Sequence, residues 1–316
     1  MNTFSYKNTE VITTAILFSG APSQWEETEG EGIKAGIIDT GVDYNHSDLK
    51  NNIADARSFM GKDPFDDNGH GTHICGIIAA EKNGFGVVGT APKTKLYVAK
   101  AFDKNGIGDN NAITQSIQWL INEKVDVINM SFSTDEYVKK YHTYIRKAYN
   151  SNISVICATN NPKPNKDNAG LGYPALLSET ISVSNFKFRR QNDGFSQYAD
   201  LSAIGTNIYS TFPGNKYKNL TGTSMSTPVI TGCACLLQKK AMLRLKRKLS
   251  PDELKTVMLL YSQYPHNITN MPYNTSGFFT FSVPKNISPN MEYYNIDTLV
   301  KNKPDFIQNV FNKIHD

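Results

Sequence analysis

Gly222-Thr223-Ser224-Met225-Ser226-Thr227-Pro228 reads as a loop turning into a helix, with a serine hydroxyl at the join. Glycine allows the backbone to turn tightly, and the apolar run from Val229 through Leu237 begins a buried helix. Small residues on both sides leave Ser224 open to an approaching carbonyl, so it is the first candidate for a nucleophile. A turn of Gly, Ser and Thr that merely caps a helix has the same composition. The choice between the two depends on what stands upstream.

Two upstream stretches supply what a serine nucleophile needs. Ile33 to Ile38 is an apolar run ending in Asp39-Thr40-Gly41, the pattern of a buried parallel strand with an acid at its carboxyl end. Open α/β sheets place their chemistry at that end. The second stretch, Asp66-Asp67-Asn68-Gly69-His70-Gly71-Thr72-His73-Ile74-Cys75-Gly76, sets His70 between glycines at the start of a helix, and Ile74, Ile77 and Ile78 give that helix a buried face. A serine hydroxyl is a weak nucleophile at neutral pH and requires a base such as His70, which an acid such as Asp39 orients.

The order Asp39, His70, Ser224, with the flanks quoted above, resembles the subtilisin-like serine proteases of the subtilase family. The resemblance covers roughly residues 21 to 264. It implies a three-layer α/β sandwich with a largely parallel central sheet, an arm over residues 1–20 and a C-terminal extension over residues 265–316, packed on or following the catalytic domain. The implied activity is hydrolysis of peptide bonds in a peptide or protein substrate. Asn160, after the strand Ser154 to Ala158, takes the place of the family's oxyanion amide, beside the backbone N–H of Ser224. Thr159 then stands where the family has glycine.

Val127 to Phe132 resembles one wall of the family's substrate cleft, and Gly172-Tyr173-Pro174-Ala175 the far wall of the primary pocket. The implied substrate-binding set is Ser131, Phe132, Ser133, Thr134, Cys157, Ala158, Thr159 and Gly172. Ser133 and Thr134 replace the glycines usual in the family, so these side chains and Thr159 are expected to narrow the cleft. The resemblance also implies a structural calcium ion. Its oxygen ligands would be the side chains of Asp48 and Asn83, the carbonyls of Glu81, Phe85 and Val87, and Glu10 from the arm.

Two other chemistries compete for the same residues. Asp-Thr-Gly also marks aspartic proteases, which need a second such carboxylate; this chain has one, and a homodimer would have to supply the other. His73, three residues after His70, suggests a metal pair, but zinc wants further ligands, and His73 reads better as a hydrogen-bonded structural histidine. A catalytically silent peptide-binding protein is the alternative outside enzymology.

Composition sets the frame. The 316 residues carry a net charge of +4 with acids and bases interspersed, which gives no electrostatic case for nucleic acid as a partner. The basic run Lys239 to Lys248 reads as a solvated helix face. Four cysteines, all in apolar contexts, look like buried thiols of a reducing compartment. No run is long enough to span a bilayer, and a cytoplasmic location is expected. Asp39 stands so near the start that no inhibitory prodomain is expected ahead of it. A narrowed cleft would then restrain the activity, as in the intracellular leader peptidases that trim lanthipeptide precursors, which this chain resembles. The rival is a general intracellular subtilisin.

Overall fold

Strand β1 (Lys34–Asp39) is buried on both faces. The others are β2 (Ile53–Ser58), β3 (Lys95–Lys100), β4 (Val127–Met130), β5 (Ser154–Ala158), β6 (Thr180–Phe186), β7 (Leu201–Ile204), a separate hairpin of β8 (Ile208–Phe212) and β9 (Lys216–Leu220), and then β10 (Ser262–Gln263) and β11 (Gly277–Phe279). The apolar residues of β1 divide by parity: Ile37 joins one core and Ile38 the other. Ile156 and Val155 of β5 divide in the same way, as a period of two requires when both faces of a sheet are covered. The computed structural model describes residues 10–161, 170–186, 199–263, 277–281, 310 and 312–314.

Within them the main sheet runs β10-β11-β7-β6-β5-β4-β1-β3-β2. Every pairing in it is parallel except β10 with β11. The helices are α1 (Thr14–Ser19), α2 (His70–Ala79), α3 (Asn110–Asn122), α4 (Lys139–Asn150), α5 (Thr223–Leu245) and α6 (Pro251–Leu260). Residues of α1, α2, α5 and α6 share one core, whereas α3 and α4 pack into the other. The expected α/β sandwich with a largely parallel sheet is therefore what the chain forms.

Local signals account for most boundaries. Asp109 caps α3 by accepting from the N–H groups of Asn111 and Ala112, and Ile113, Ile117 and Leu120 turn inward. Ser250 and Glu253 form a capping box at α6 with Pro251 in its first turn. Two elements lack such marks. Edge strand β2 has a mixed burial pattern, and α4 buries only Tyr141, Ile145 and Ala148.

The basic run is a solvated face only in part: Lys246, Arg247 and Lys248 are exposed. Lys240 is buried and lies 3.3 Å from Glu27; Lys239 meets Glu31, Arg244 meets Glu27, Arg247 meets Glu253 and Lys248 meets Asp126. Beyond residue 264, β11 pairs with β7, and Phe279, Val310 and Ile314 enter the core of α5. In the C-terminal extension Val310 and Ile314 are described and buried; Phe306, Ile307 and Phe311 lie outside the described residues.

Candidate active site

Asp39 closes β1, 3% exposed. Its Oδ1 accepts from the Thr40 N–H at 2.8 Å and from His70 Nδ1–H at 2.7 Å. The close approach depends on Gly71, where a Cβ would overlap the Gly41 carbonyl oxygen and lie 3.2 Å from Asp39 Cβ. Asp66, fully buried, fastens the two elements together. Its Oδ1 accepts from Thr40 Oγ1 at 2.8 Å and from Gly69 N–H at 2.8 Å, and its Oδ2 from the Thr72 N–H and hydroxyl at 2.8 and 2.7 Å. Lys100, also buried, donates to the carbonyls of Thr40 and Phe65 and to Asp67.

Burial disfavours the charged imidazole of His70, but the charge and hydrogen bond of Asp39, with the charge of Asp66, outweigh it and raise the pKa above the ordinary value. His73 behaves oppositely. Burial, helped by the neighbouring charges of His70 and Lys218 and opposed by hydrogen bonds to backbone carbonyls, lowers its pKa to about 4. Its Nε2–H donates to the carbonyls of Ile208 and Lys218, both at 3.0 Å. It is the structural histidine the sequence suggests, joining α2 to the β8–β9 hairpin.

Ser224 is the second residue of α5. Gly222 is extended there (φ 162°, ψ 169°), so the turn expected of it is not made by a left-handed glycine; a Cβ would instead come 3.3 Å from Asn161 Oδ1. Pro228 lies inside the helix and has no N–H to offer the Ser224 carbonyl four residues back. That carbonyl accepts instead from Ser131 Oγ at 3.1 Å, and Ser224 Oγ donates to the Ser131 carbonyl at 2.9 Å. Ser131 Oγ also accepts from Asn129, whose Oδ1 accepts from Thr231 of α5. This buried network fixes the end of β4 against the start of α5.

Asp39, His70 and Ser224 line one cleft of about 320 Å³, together with Ser131, Phe132, Ser133, Ala158, Thr159 and Asn161. A larger cavity of about 720 Å³, between Lys124 and Leu249 near the start of β4 and β5, contains none of these residues. Four expected residues, Cys157, Asn160, Thr134 and Gly172, are not among those that line it. Cys157 is fully buried in the core of α3 and α4, because β5 points it away from the cleft. Asn160 is not among the cleft-lining residues: its Nδ2 donates to Asp135 Oδ1 at 2.7 Å. The neighbouring Asn161 lines the cleft, and its Oδ1 accepts from the Thr223 N–H at 3.0 Å and the Thr223 hydroxyl at 3.2 Å. With that oxygen committed, the Asn161 amide nitrogen is oriented as a donor.

Thr134 and Gly172 lie outside the lining too. Thr134 exchanges two backbone hydrogen bonds with Tyr173, 2.8 and 2.7 Å, and the Thr159 hydroxyl is buried without a hydrogen-bond partner among the described residues. Asp66, Lys100, Asn129 and Asn161 are the residues that sequence reasoning missed. For Asp66 a signal existed, since an aspartate four residues before a helix-opening histidine can cap that helix.

The expected calcium ligands are gathered in part. Asp48 is fully buried, and its carboxylate accepts from Asn83 Nδ2, Val87 N–H and Tyr217 OH. Glu10 Oε1 accepts from the N–H groups of Asn83 and Gly84, and Val11 bridges to Val87, so the arm does reach the loop. Glu81 Oε1 is buried without a partner. A buried carboxylate and an amide whose oxygen and nitrogen ends are interchangeable by rotation are donors of the kind an oxygen-seeking cation takes, though here the carboxylate is engaged by hydrogen bonds. Among the described residues no three His, Cys, Asp or Glu side chains cluster as a metal-holding group, so amide and carbonyl oxygens would have to complete the site.

No helix among the described residues is long and apolar enough to cross a membrane, and all four cysteines are free and buried. Residues 30–277 match the subtilase family. The chain is 41% identical to the intracellular serine protease of Paenibacillus polymyxa, over 74% of this chain and 75% of that one. It is 33% identical to the major intracellular serine protease of Bacillus subtilis (strain 168), over 88% and 91% of the two chains. Subtilisin DY of Bacillus licheniformis is 36% identical over 67% and 78%. With its parallel sheet, its Asp39–His70 contact and a family match across most of its length, this chain belongs to the subtilase family and is a subtilisin-like serine endopeptidase.

Proposed function

We propose that Ser224 Oγ attacks the scissile carbonyl, that His70 is its base and that Asp39 orients His70. The observation that carries this reading is the 2.7 Å Asp39–His70 hydrogen bond in a cleft shared with Ser224. The hydrogen bond on Nδ1 leaves Nε2 as the nitrogen free to accept a proton. The Ser224 hydroxyl, now donating to the Ser131 carbonyl, rotates to Nε2 when substrate enters, since catalytic hydrogen bonds often tighten only in the complex. The Oγ–C bond then forms as the proton passes to His70. That proton goes to the leaving amine as the C–N bond breaks, and a water molecule repeats the cycle on the acyl-enzyme. Asp39 stabilises the imidazolium without taking the proton.

The oxyanion role passes from Asn160 to Asn161. Support comes from Asn161's place in the cleft and from the hydrogen bonds of Thr223 to its Oδ1, which aim the amide N–H at the carbonyl under attack, beside the Ser224 N–H at the α5 terminus. Ser224→Ala should abolish turnover and fluorophosphonate labelling while leaving the fold intact. Labelling at another residue, or full activity in the variant, would overturn the assignment.

The relatives named intracellular support a cytoplasmic location. Removal of a leader peptide is the finer reading, favoured by side chains where the family's cleft carries glycine; a random peptide library digested and read by mass spectrometry separates it from general proteolysis. The calcium reading assigns Asp48 and Asn83 side chains, carbonyls of Glu81, Phe85 and Val87, and Glu10. Bound there, the ion supplies cross-linking of arm to loop and stabilises the folded state by mass action. Melting of chelator-stripped protein should rise with calcium, and Asp48→Ala should remove the rise.

A further inference from the structure

Pro228 leaves the start of α5 with a missing constraint. It lies inside the helix, four residues after Ser224, and has no N–H to bring to the Ser224 carbonyl. The peptide plane containing that carbonyl sets ψ of Ser224, and with it the direction in which Cβ and Oγ leave the chain. Its donor comes from outside the helix: Ser131 Oγ donates to the Ser224 carbonyl at 3.1 Å.

The need of that carbonyl for a donor sets the direction of every hydrogen bond behind it. Ser131 has one hydroxyl hydrogen; giving it to Ser224, its oxygen receives another from Asn129 Nδ2 at 2.9 Å. Asn129 thereby turns Oδ1 the other way, toward Thr231, whose hydroxyl donates to it at 2.9 Å. The Thr227 carbonyl, 3.0 Å away, is the second acceptor in reach of the same hydroxyl. Asn129 Oδ1 has no other partner among the described residues. Asn129 and Thr231 are fully buried, and Ser131 is 2% exposed, so a polar group that loses its partner here stays unpaired. Thr231 stands two turns beyond Ser224 on the same helix. The relay therefore leaves α5, crosses β4 and returns to α5 at the nucleophile.

We propose that Thr231 is a positioning residue for the nucleophile: through Asn129 and Ser131 it holds the Ser224 carbonyl that Pro228 leaves without a helical donor, and so aims Ser224 Oγ at the scissile carbonyl. The inference rests on Ser224 as the nucleophile. Without the Thr231 hydroxyl, the Asn129 amide is free to turn, Ser131 loses the donor that directs its own hydrogen, and the plane after Ser224 is no longer fixed.

The test compares Thr231→Val and Thr231→Ala, which remove the hydroxyl, with Thr231→Ser, which keeps it. Two rates are read: turnover of a peptide p-nitroanilide and fluorophosphonate labelling of Ser224. The Val and Ala variants should lower kcat about tenfold with KM little changed, and labelling should slow by a similar factor. Thr231→Ser should keep both rates near those of the native protein. Ser131→Ala should lower kcat at least as much, and Thr231→Ala added to it should cost little more, because links in series fail together. A merely structural Thr231 would lower stability in urea and leave kcat and labelling unchanged. The proposal is overturned, and the nucleophile assignment spared, by a kcat within about twofold of native in both hydroxyl-free variants, by an equal loss in Thr231→Ser, or by losses that multiply in the double variant. Failure of both hydroxyl-free variants to fold overturns it as well, since Thr231 then serves the fold. Absence of Ser224 labelling in the native protein removes the nucleophile assignment, and this proposal with it.

Discussion

His73 should make the fold sensitive to mild acid. The imidazole is completely buried, its Nε2–H shared between the carbonyls of Ile208 and Lys218 and its Nδ1 without a partner among the described residues. Protonation would place a second N–H, and a charge, where no acceptor waits, near His70 and Lys218, which also carry or acquire positive charge. The folded pKa is therefore depressed, from 6.5 to about 4. Between those values the unfolded chain binds the proton and the folded chain does not, so stability is complete above pH 6.5 and falls as the pH drops toward 4. At about 1.4 kcal/mol per pH unit, the loss sums to roughly 3 kcal/mol, a large fraction of a typical domain's stability.

His70 titrates in the opposite sense. Its folded pKa is raised, so its contribution is present below 6.5 and vanishes as the pH rises through the folded value. The two effects are separable by substitution. In a Ser224→Ala background, which prevents self-digestion, urea unfolding is followed from pH 4 to 7.5 with and without His73→Gln, which keeps a donor for the two carbonyls. The glutamine variant should lose roughly 3 kcal/mol less between pH 6.5 and 4 than its parent, and the His73 ring resonances of the parent should remain those of a neutral imidazole at pH 5. Parallel stability curves, or a His73 ring protonated at pH 6, would refute the reasoning.

Three further outcomes are expected. On the proposed mechanism the neutral form of His70 is the base, so kcat/KM should climb with pH through a value above 6.5; Asp66→Asn should move that limb to lower pH, and Asp39→Asn should both move it and cut kcat by about 10⁴-fold, with a pH–rate profile as the check. Asn161→Ala should lower kcat by about 10²–10³-fold, ~3 kcal/mol of transition-state stabilisation, a magnitude known from subtilisin itself, with KM little changed in active-site-titrated enzyme. Phe279→Ala should cost roughly 3–5 kcal/mol in urea unfolding, because β11 buries that ring in the core of α5; a negligible loss would show that the C-terminal strand unfolds independently.

The sheet was legible because its strands are buried on both faces and read as apolar runs, and α3 and α6 because their caps are written in adjacent residues. Strand β2 was not, since an edge strand with mixed burial has no period to detect. Nor was α4, in which three inward residues stand among lysines and tyrosines. The basic run was misread in part for a related reason: Glu253 is six residues from Arg247, but the other acidic partners, Glu27, Glu31 and Asp126, come from two distant segments that a local window does not see. At the site, Asp39, His70 and Ser224 were legible because each stands at the junction of two elements and carries glycines or small residues beside it.

Asn160 and Asn161 show where local reading ends. Both are asparagines at the mouth of β5, and nothing within the segment Thr159-Asn160-Asn161 distinguishes them. An extended chain sends successive side chains to opposite sides, so a one-residue difference in register exchanges cleft for wall. What decides the register comes from elsewhere. Thr223 presents both its N–H and its hydroxyl to one asparagine oxygen, and its hydroxyl also donates to the Thr159 carbonyl, which ties this segment to the residue before Ser224. Asn161 is thereby turned toward Ser224, while Asp135 and Gly172 receive Asn160 on the other side. The same contacts hold the two amides differently: one has its oxygen occupied by Thr223, the other has its N–H held by a carboxylate. Exchanging the roles would require Thr223 and Asp135 to exchange sides, and each is anchored in a different element of the fold.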